Sequence, residues 1–183
     1  MSSERSEGTQ AGFAPPGDML GQDIGHPRLR SLYAYWTEKR AAYPFPSRRD
    51  IDPIEMREWL GNLLMVACEP GVRYRYIVYG THFVEAFGTD LTGRWIDELP
   101  KDQHRLLAEE YDTVRMSGIP ELRRYTARFG LFAAGKARPT DQEMTWERLV
   151  LPLGGTRLSG TRESDRDRVA LLLVGAYALE SGA

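Results

Sequence analysis

Apolar residues along the chain recur at two periods, and each change of period marks a new element. In "RLRSLYAYWTEKRAA", Leu29, Leu32, Tyr33 and Trp36 return at helical spacing and share one face. "PSRRDIDPIEMREWLGN" carries helix punctuation: Asp52 to cap, Pro53 at the first helical position, and Glu55 three residues after the cap. Met56, Trp59 and Leu60 form its apolar side, and Gly61 suits its end. "NLLMVAC" and "RYRYIVYG" are strand-like runs joined by "EPGV", with Pro and Gly where a type II turn wants them. Together they predict an antiparallel hairpin.

Further along, Thr81 is placed to cap a short helix, "HFVEAF", that ends at Gly88. Asp97, before "ELPKD", reads as a second cap. "PKDQHRLLAEEYDTVRMSG" predicts a longer helix with Leu107, Tyr111 and Val114 on one side. Three extended segments close the chain: "PELRRYTARFGLF", "EMTWERLVLPL" and "DRVALLLVGAYAL". The first alternates Tyr125, Ala127, Phe129 and Leu131 against Arg124, Thr126 and Arg128. The polar segment at 154–167, "GGTRLSGTRESDRD", reads as a mobile loop.

Two strands, a helical crossing and a three-strand meander make an α+β fold. The expectation is a five-stranded antiparallel sheet with helices on one face and an extra N-terminal helix. A pocket fits between sheet and helices. Residues 1–26, rich in Ser, Gly, Pro and Glu, read as a disordered leader, and 27–180 as one domain. The helix at 29–42 flanks the compact part of this domain and must bury its apolar stripe on its own domain or on a partner; because the stripe lies outside the main body, the helix is the candidate dimer element.

Composition narrows the partners. The chain has 183 residues, 42% hydrophobic and 27% charged, with a net charge of -2. These are globular values, and they give no pull toward nucleic acid or an anionic membrane. Basic residues stand near aromatics in "RLRSLYAYW" and "SRRD", but Glu38, Asp50, Asp52 and Glu55 offset them. The single cysteine, Cys68, excludes an internal disulfide framework and reads as a buried, inert thiol. The longest apolar run, "VALLLVGAYAL", is too short for a membrane span, and the N-terminus lacks the plan of a secretory signal. A cytoplasmic protein is expected.

"GTDLTGRW" holds the first and sixth glycines of a phosphate-binding P-loop. That loop needs Lys and then Ser or Thr after the second glycine; Arg94 and Trp95 stand there instead. A helical turn, not a buried strand, precedes it. Nucleotide binding is therefore not the reason for these glycines. No spacing supports a Ser-His-Asp arrangement, and the three histidines, His26, His82 and His104, match no compact metal motif.

Several stretches together resemble the PAS superfamily, and most closely its single-domain family found mainly in alphaproteobacteria, called PAS_5. They are "LYAYWTEKR", "SRRDIDPIEMREWLGNLLMVAC", "YRYIVYGTHFVEAFGTDLTGRWIDEL" and "WERLVLPL". The block from Tyr74 to Leu99 is the most specific: a strand ending in Gly, short helices, and a G-x-D-x-T-G turn into an apolar stretch. The long charged segment after "LPL" departs from the family pattern, which has a short turn there. On this resemblance Gly88 ends the short helix in a left-handed conformation and Gly93 lets the chain turn sharply.

The resemblance implies a stand-alone bacterial sensor or interaction module and names no cofactor. The implied partners are a second copy and a signalling protein such as a sensor histidine kinase. Tyr74, Tyr76, Tyr79, Phe83, Phe87 and Trp95 concentrate where a PAS pocket lies. Tyr76, Phe83, Phe87, Trp95 and Leu149 are the expected walls for a small apolar or aromatic ligand, and core packing is the alternative reading of the same aromatics. His82, beside Phe83, is the one histidine placed to hold haem or a metal. Two other functions stay open: a small cone-shaped enzyme doing proton transfer on a hydrophobic substrate, with Asp90 or Asp97 as base, and an interaction module with a filled core.

Overall fold

The structure, a computed structural model, describes residues 17–128, 143–155 and 168–179. Four α-helices are present among them: α1 (Gly17–Asp23), α2 (Pro27–Arg40), α3 (Thr81–Phe87) and α4 (Lys101–Ser117). The strands are β1 (Leu63–Glu69), β2 (Arg73–Tyr79), β3 (Glu121–Arg128), β4 (Glu143–Gly154) and β5 (Val169–Ala178). They form one antiparallel sheet in the order β2-β1-β5-β4-β3. The hairpin and the three-strand meander both form, joined through the β1–β5 pair. Phe129, Leu131 and residues 1–16 and 156–167, on which expectations also fell, lie outside the described residues.

Strand pleating gives the sheet two distinct faces. Leu149, Gly175 and Leu63 are register partners and share one face. A Cβ on Gly175 would meet Leu29 and Leu32 side chains at 2.8 Å, so this face is the one that α2 covers. Arg148, Ala176 and Leu64 point the other way, toward α3 and α4. The extra N-terminal helix thus backs the sheet while α3 and α4 lie in front.

The apolar stripe of α2 is consumed inside its own domain. Leu29, Leu32, Tyr33 and Trp36 are at most 7% exposed, and Trp36 Nε1 donates to the Pro152 carbonyl at 2.9 Å. Each such side chain stabilises the fold by roughly 1.5–3 kcal/mol. The outer side of α2 is occupied too: Tyr35 Oη donates to Glu55, Lys39 pairs with Glu55, and Trp59 Nε1 donates to Ser31 Oγ. The reason for expecting a dimer element at 29–42 is therefore removed.

Residues 17–26, expected in the leader, belong to the fold. Ile24 is fully buried, and His26 caps α2 by accepting from the Arg28 N–H while stacking on Tyr177 at 4.3 Å. Glu147 of β4 clamps this entry. Its carboxylate accepts from the Gly25 and His26 N–H groups at 2.9 and 2.7 Å and from Arg124 Nε at 2.9 Å.

Three local expectations change. Segment 52–62 forms 3-10 turns rather than an α-helix, with i to i+3 bonds from Trp59 N to Met56 O and from Asn62 N to Trp59 O. It is short and pinned to α2 along its length, so no second α-turn propagates. Met56 and Trp59 face inward as expected, but Leu60 is 42% exposed. Thr81 is the first helical residue of α3, and the cap position is Gly80, where a Cβ would stand 2.4 Å from the Gly61 carbonyl oxygen. Asp97 lies within a 3-10 turn (Ile96–Glu98) and pairs with Arg73 at 2.8 Å instead of capping α4.

Candidate functional site

The front face of the sheet does not close. Between it and α3, α4 and the segment joining them lies a cavity of about 260 Å³. Its apolar wall is a row of rings: Tyr76 to Tyr79 at 5.3 Å, Tyr79 to Phe83 at 5.7 Å, and Phe83 to Phe87 at 6.2 Å between centroids. Residues three apart on a regular strand would face opposite ways. The β1–β2 register shifts beyond Met65, which pairs with Val78, so that Val66 pairs with Tyr76; the extra residue turns Tyr76 and Tyr79 to the same side.

The loop "GTDLTGRW" completes the wall. Gly88 ends α3 at φ 72°, and Gly93 turns the chain at φ 83°. Asp90 Oδ1 accepts from the Thr92 N–H at 2.8 Å. The loop then runs onto the outer edge of β2: Gly93 N donates to Tyr76 O at 2.7 Å, and Tyr76 N to Arg94 O at 3.0 Å. This pairing presents Trp95 to the cavity, with the Arg73 guanidinium 3.9 Å from its ring centre on β2. The glycines serve a turn that protects a sheet edge and carries a wall residue, not a phosphate.

Of the expected walls, Tyr76, Phe83, Phe87 and Trp95 line the cavity. Leu149 does not. It is fully buried on the α2 face, and its neighbour Arg148 takes the cavity side. A one-residue error in strand parity is sufficient to exchange the two. His82 is also absent from the lining. It is exposed, and its Nδ1 lies 2.5 Å from Asn62 Oδ1, which turns it toward the 3-10 segment. Among the described residues no group of three or more His, Cys, Asp or Glu is arranged to hold a metal ion. Asp90 is exposed and held in its own turn, so it offers no buried base.

The chain matches the sequence model of the PAS domain family, PAS_5, over residues 24–162. It belongs to the PAS domain family. A comparison with curated proteins finds no significant match. As a PAS domain, the chain falls in a class of sensory and regulatory modules, and its cavity occupies the space between sheet and helices expected from that resemblance.

The deep end of this PAS cavity is polar in a way the apolar pattern hid. Arg148 and Glu110 form a buried, doubly hydrogen-bonded pair: Nε to Oε1 is 3.1 Å, and Nη2 bonds Oε2. Glu110 is fully buried and Arg148 is 8% exposed. Burial raises the Glu110 carboxyl above its ordinary range, outweighing the neighbouring guanidinium. The Arg148 plane stands 5.1 Å from the Tyr125 ring centre. Beside the pair, burial pushes the Tyr76 hydroxyl up to about 12 and the Tyr111 hydroxyl well above its ordinary value, so both remain protonated. The buried Tyr111 Oη neighbours the Tyr76 hydroxyl and makes no well-aligned hydrogen bond. The sequence held one usable signal. Glu110 sits among Leu107, Tyr111 and Val114 on the apolar side of α4, where a carboxylate needs a buried cation.

At the mouth stand the exposed residues Thr89, Arg94, Glu98 and Pro100, with Arg94 paired to Glu98 at 2.7 Å. Cys68 lies in β1 outside the lining, and burial pushes its thiol up to about 12, which leaves it a poor nucleophile.

Proposed function

We propose that this PAS domain is a sensory module whose signal is a small molecule held in the cavity between sheet and α3/α4. One observation carries the reading: an aromatic-walled space of about 260 Å³ with buried polar groups at its deep end. The volume falls just below the roughly 300–1,000 Å³ of drug-sized ligand pockets, which favours a small ring compound over a tetrapyrrole or a flavin nucleotide. The proposed reader of the occupied state is a signalling protein such as a sensor histidine kinase.

The two competing functions fit less well. A filled-core interaction module would not leave this space in front of the sheet. A proton-transfer enzyme needs a free carboxylate or His facing the substrate, but Glu110 is outside the lining and already engaged by Arg148. The test is native mass spectrometry of the purified protein with a thermal-shift screen of small metabolites. A retained molecule, or a compound that raises Tm by binding the native state, is the expected result. Absence of both sinks the sensory reading in favour of the interaction module.

A further inference from the structure

Resting on that reading of the cavity, we propose that its ligand is a small, uncharged aromatic molecule carrying a carbonyl oxygen that accepts from Arg148. Every charge on the lining is already balanced. Arg94 and Glu98 neutralise one another at the mouth, and Arg148 is neutralised by Glu110 at the deep end. A carboxylate entering this site would place a second anion beside a balanced buried pair, with its own hydration lost.

Donors, by contrast, are in surplus. Glu110 engages Nε and Nη2 of Arg148 and leaves Nη1 without a partner among the described residues. Tyr111 Oη, beside the Tyr76 hydroxyl, adds a buried donor that makes no well-aligned hydrogen bond. A neutral acceptor gains from a charged donor without bringing charge inside. The ring specificity comes from Tyr76, Tyr79, Phe83 and Phe87, whose edge-to-face and stacked contacts form a continuous aromatic wall.

The experiment uses three probes that share one ring system: 2-acetylnaphthalene, 2-naphthoate and 2-ethylnaphthalene. Binding to the full chain is measured by calorimetry. The ketone is expected to bind about tenfold more tightly than either of the others, the value of one hydrogen bond to a charged donor. Glu110→Gln leaves the Arg148 cation uncompensated, so the preference should invert toward 2-naphthoate. If that variant does not fold, the double variant Arg148→Met with Glu110→Met keeps the wall neutral, and the advantage of ketone over hydrocarbon should disappear. Tighter binding of 2-naphthoate than of the ketone by the native protein overturns the inference and leaves the sensory reading standing, as does a retained molecule that proves to be a carboxylic acid. If none of the probes binds and nothing is retained, the sensory reading itself fails.

Discussion

The two faces of the sheet treat similar materials differently. Behind it, α2 lies so close that Gly175 has no room for a side chain, and Leu29, Leu32, Leu149, Leu151 and Leu153 are all fully buried. In front, α3 and α4 stand far enough off to leave a cavity, and a charged pair is buried beside it. Protein interiors normally pack to crystal-like density. A sheet that achieves this on one side and leaves space on the other has divided its labour: the back face supplies stability, and the front face gives some up to keep a shaped, polar-ended site.

The sharpest way to break this division is to cut one aromatic from each side. Trp36→Ala should cost about 3–5 kcal/mol, because it removes a large buried ring and leaves the Pro152 carbonyl without its donor. Phe87→Ala, on a half-buried ring of the cavity wall, should cost about 1 kcal/mol or less, since its atoms already border open space. Urea unfolding of both variants checks this. Equal losses would mean that the front face bears as much load as the back.

The buried pair tests the same point from the polar side. Arg148→Met alone should cost about 3–5 kcal/mol, because Glu110 is left buried and unpaired, whereas adding Glu110→Met should recover most of that loss. Such a recovery, read from chemical denaturation, means that the pair is not there for stability. A double variant as unstable as the single would make it a structural element, and the comparison of faces would lose its meaning.

Two carboxylates, one on each face, should bend the pH profile in opposite directions. Burial alone would raise Glu147, but the His26 and Gly25 N–H groups and Arg124 outweigh it and hold the carboxyl below its ordinary value. A lowered native pKa adds stability above the unfolded pKa that is lost as pH falls through the folded one. Glu110 is raised by burial, with Arg148, Arg123 and Glu121 around it, so its contribution runs the other way: a penalty present at neutral pH lifts on acidification. Glu147→Gln should cost about 1–3 kcal/mol at neutral pH and flatten the acid limb. Glu110→Gln should steepen that limb. Denaturation midpoints across the acid range decide both, and parallel slopes in the two variants would refute the assignment.

How far the sequence foretold these faces depends on what carried each signal. All five strands, α3 and α4 were legible because period-2 and period-3.6 patterns are local properties, and Gly88 and Gly93 because a left-handed turn selects glycine. The cavity wall was legible at Phe83, Phe87 and Trp95, which stand on a helix or a loop, and at Tyr76 on β2. It failed at Leu149 because strand parity depends on the register of β4 against β5, which no local pattern states. Tyr79 stands out in the sequence as an aromatic but not as a wall, since its sharing a face with Tyr76 rests on a bulge invisible in "RYRYIVYG". Glu110 and Arg148 are 38 residues apart, and only tertiary structure makes each the other's solution. The stripe of α2 was visible, but whether it packs on its own sheet or on a partner turned on Gly175, a small residue far along the chain from the Leu29 and Leu32 it admits.

The smallest effect belongs to the mouth. Arg94 and Glu98 have side chains 63% and 38% exposed, so their ion pair contributes little. Glu98→Gln keeps an acceptor for the Trp95 N–H and should shift unfolding by less than about 0.5 kcal/mol. Its consequence lies in the rate of entry. With Arg94 uncompensated, an anionic naphthoate should associate faster than with the native protein, and added salt should erase the gain. The neutral ketone should enter at an unchanged rate. If both probes respond alike, the mouth acts through shape, and charge balance belongs only to the deep end of the cavity.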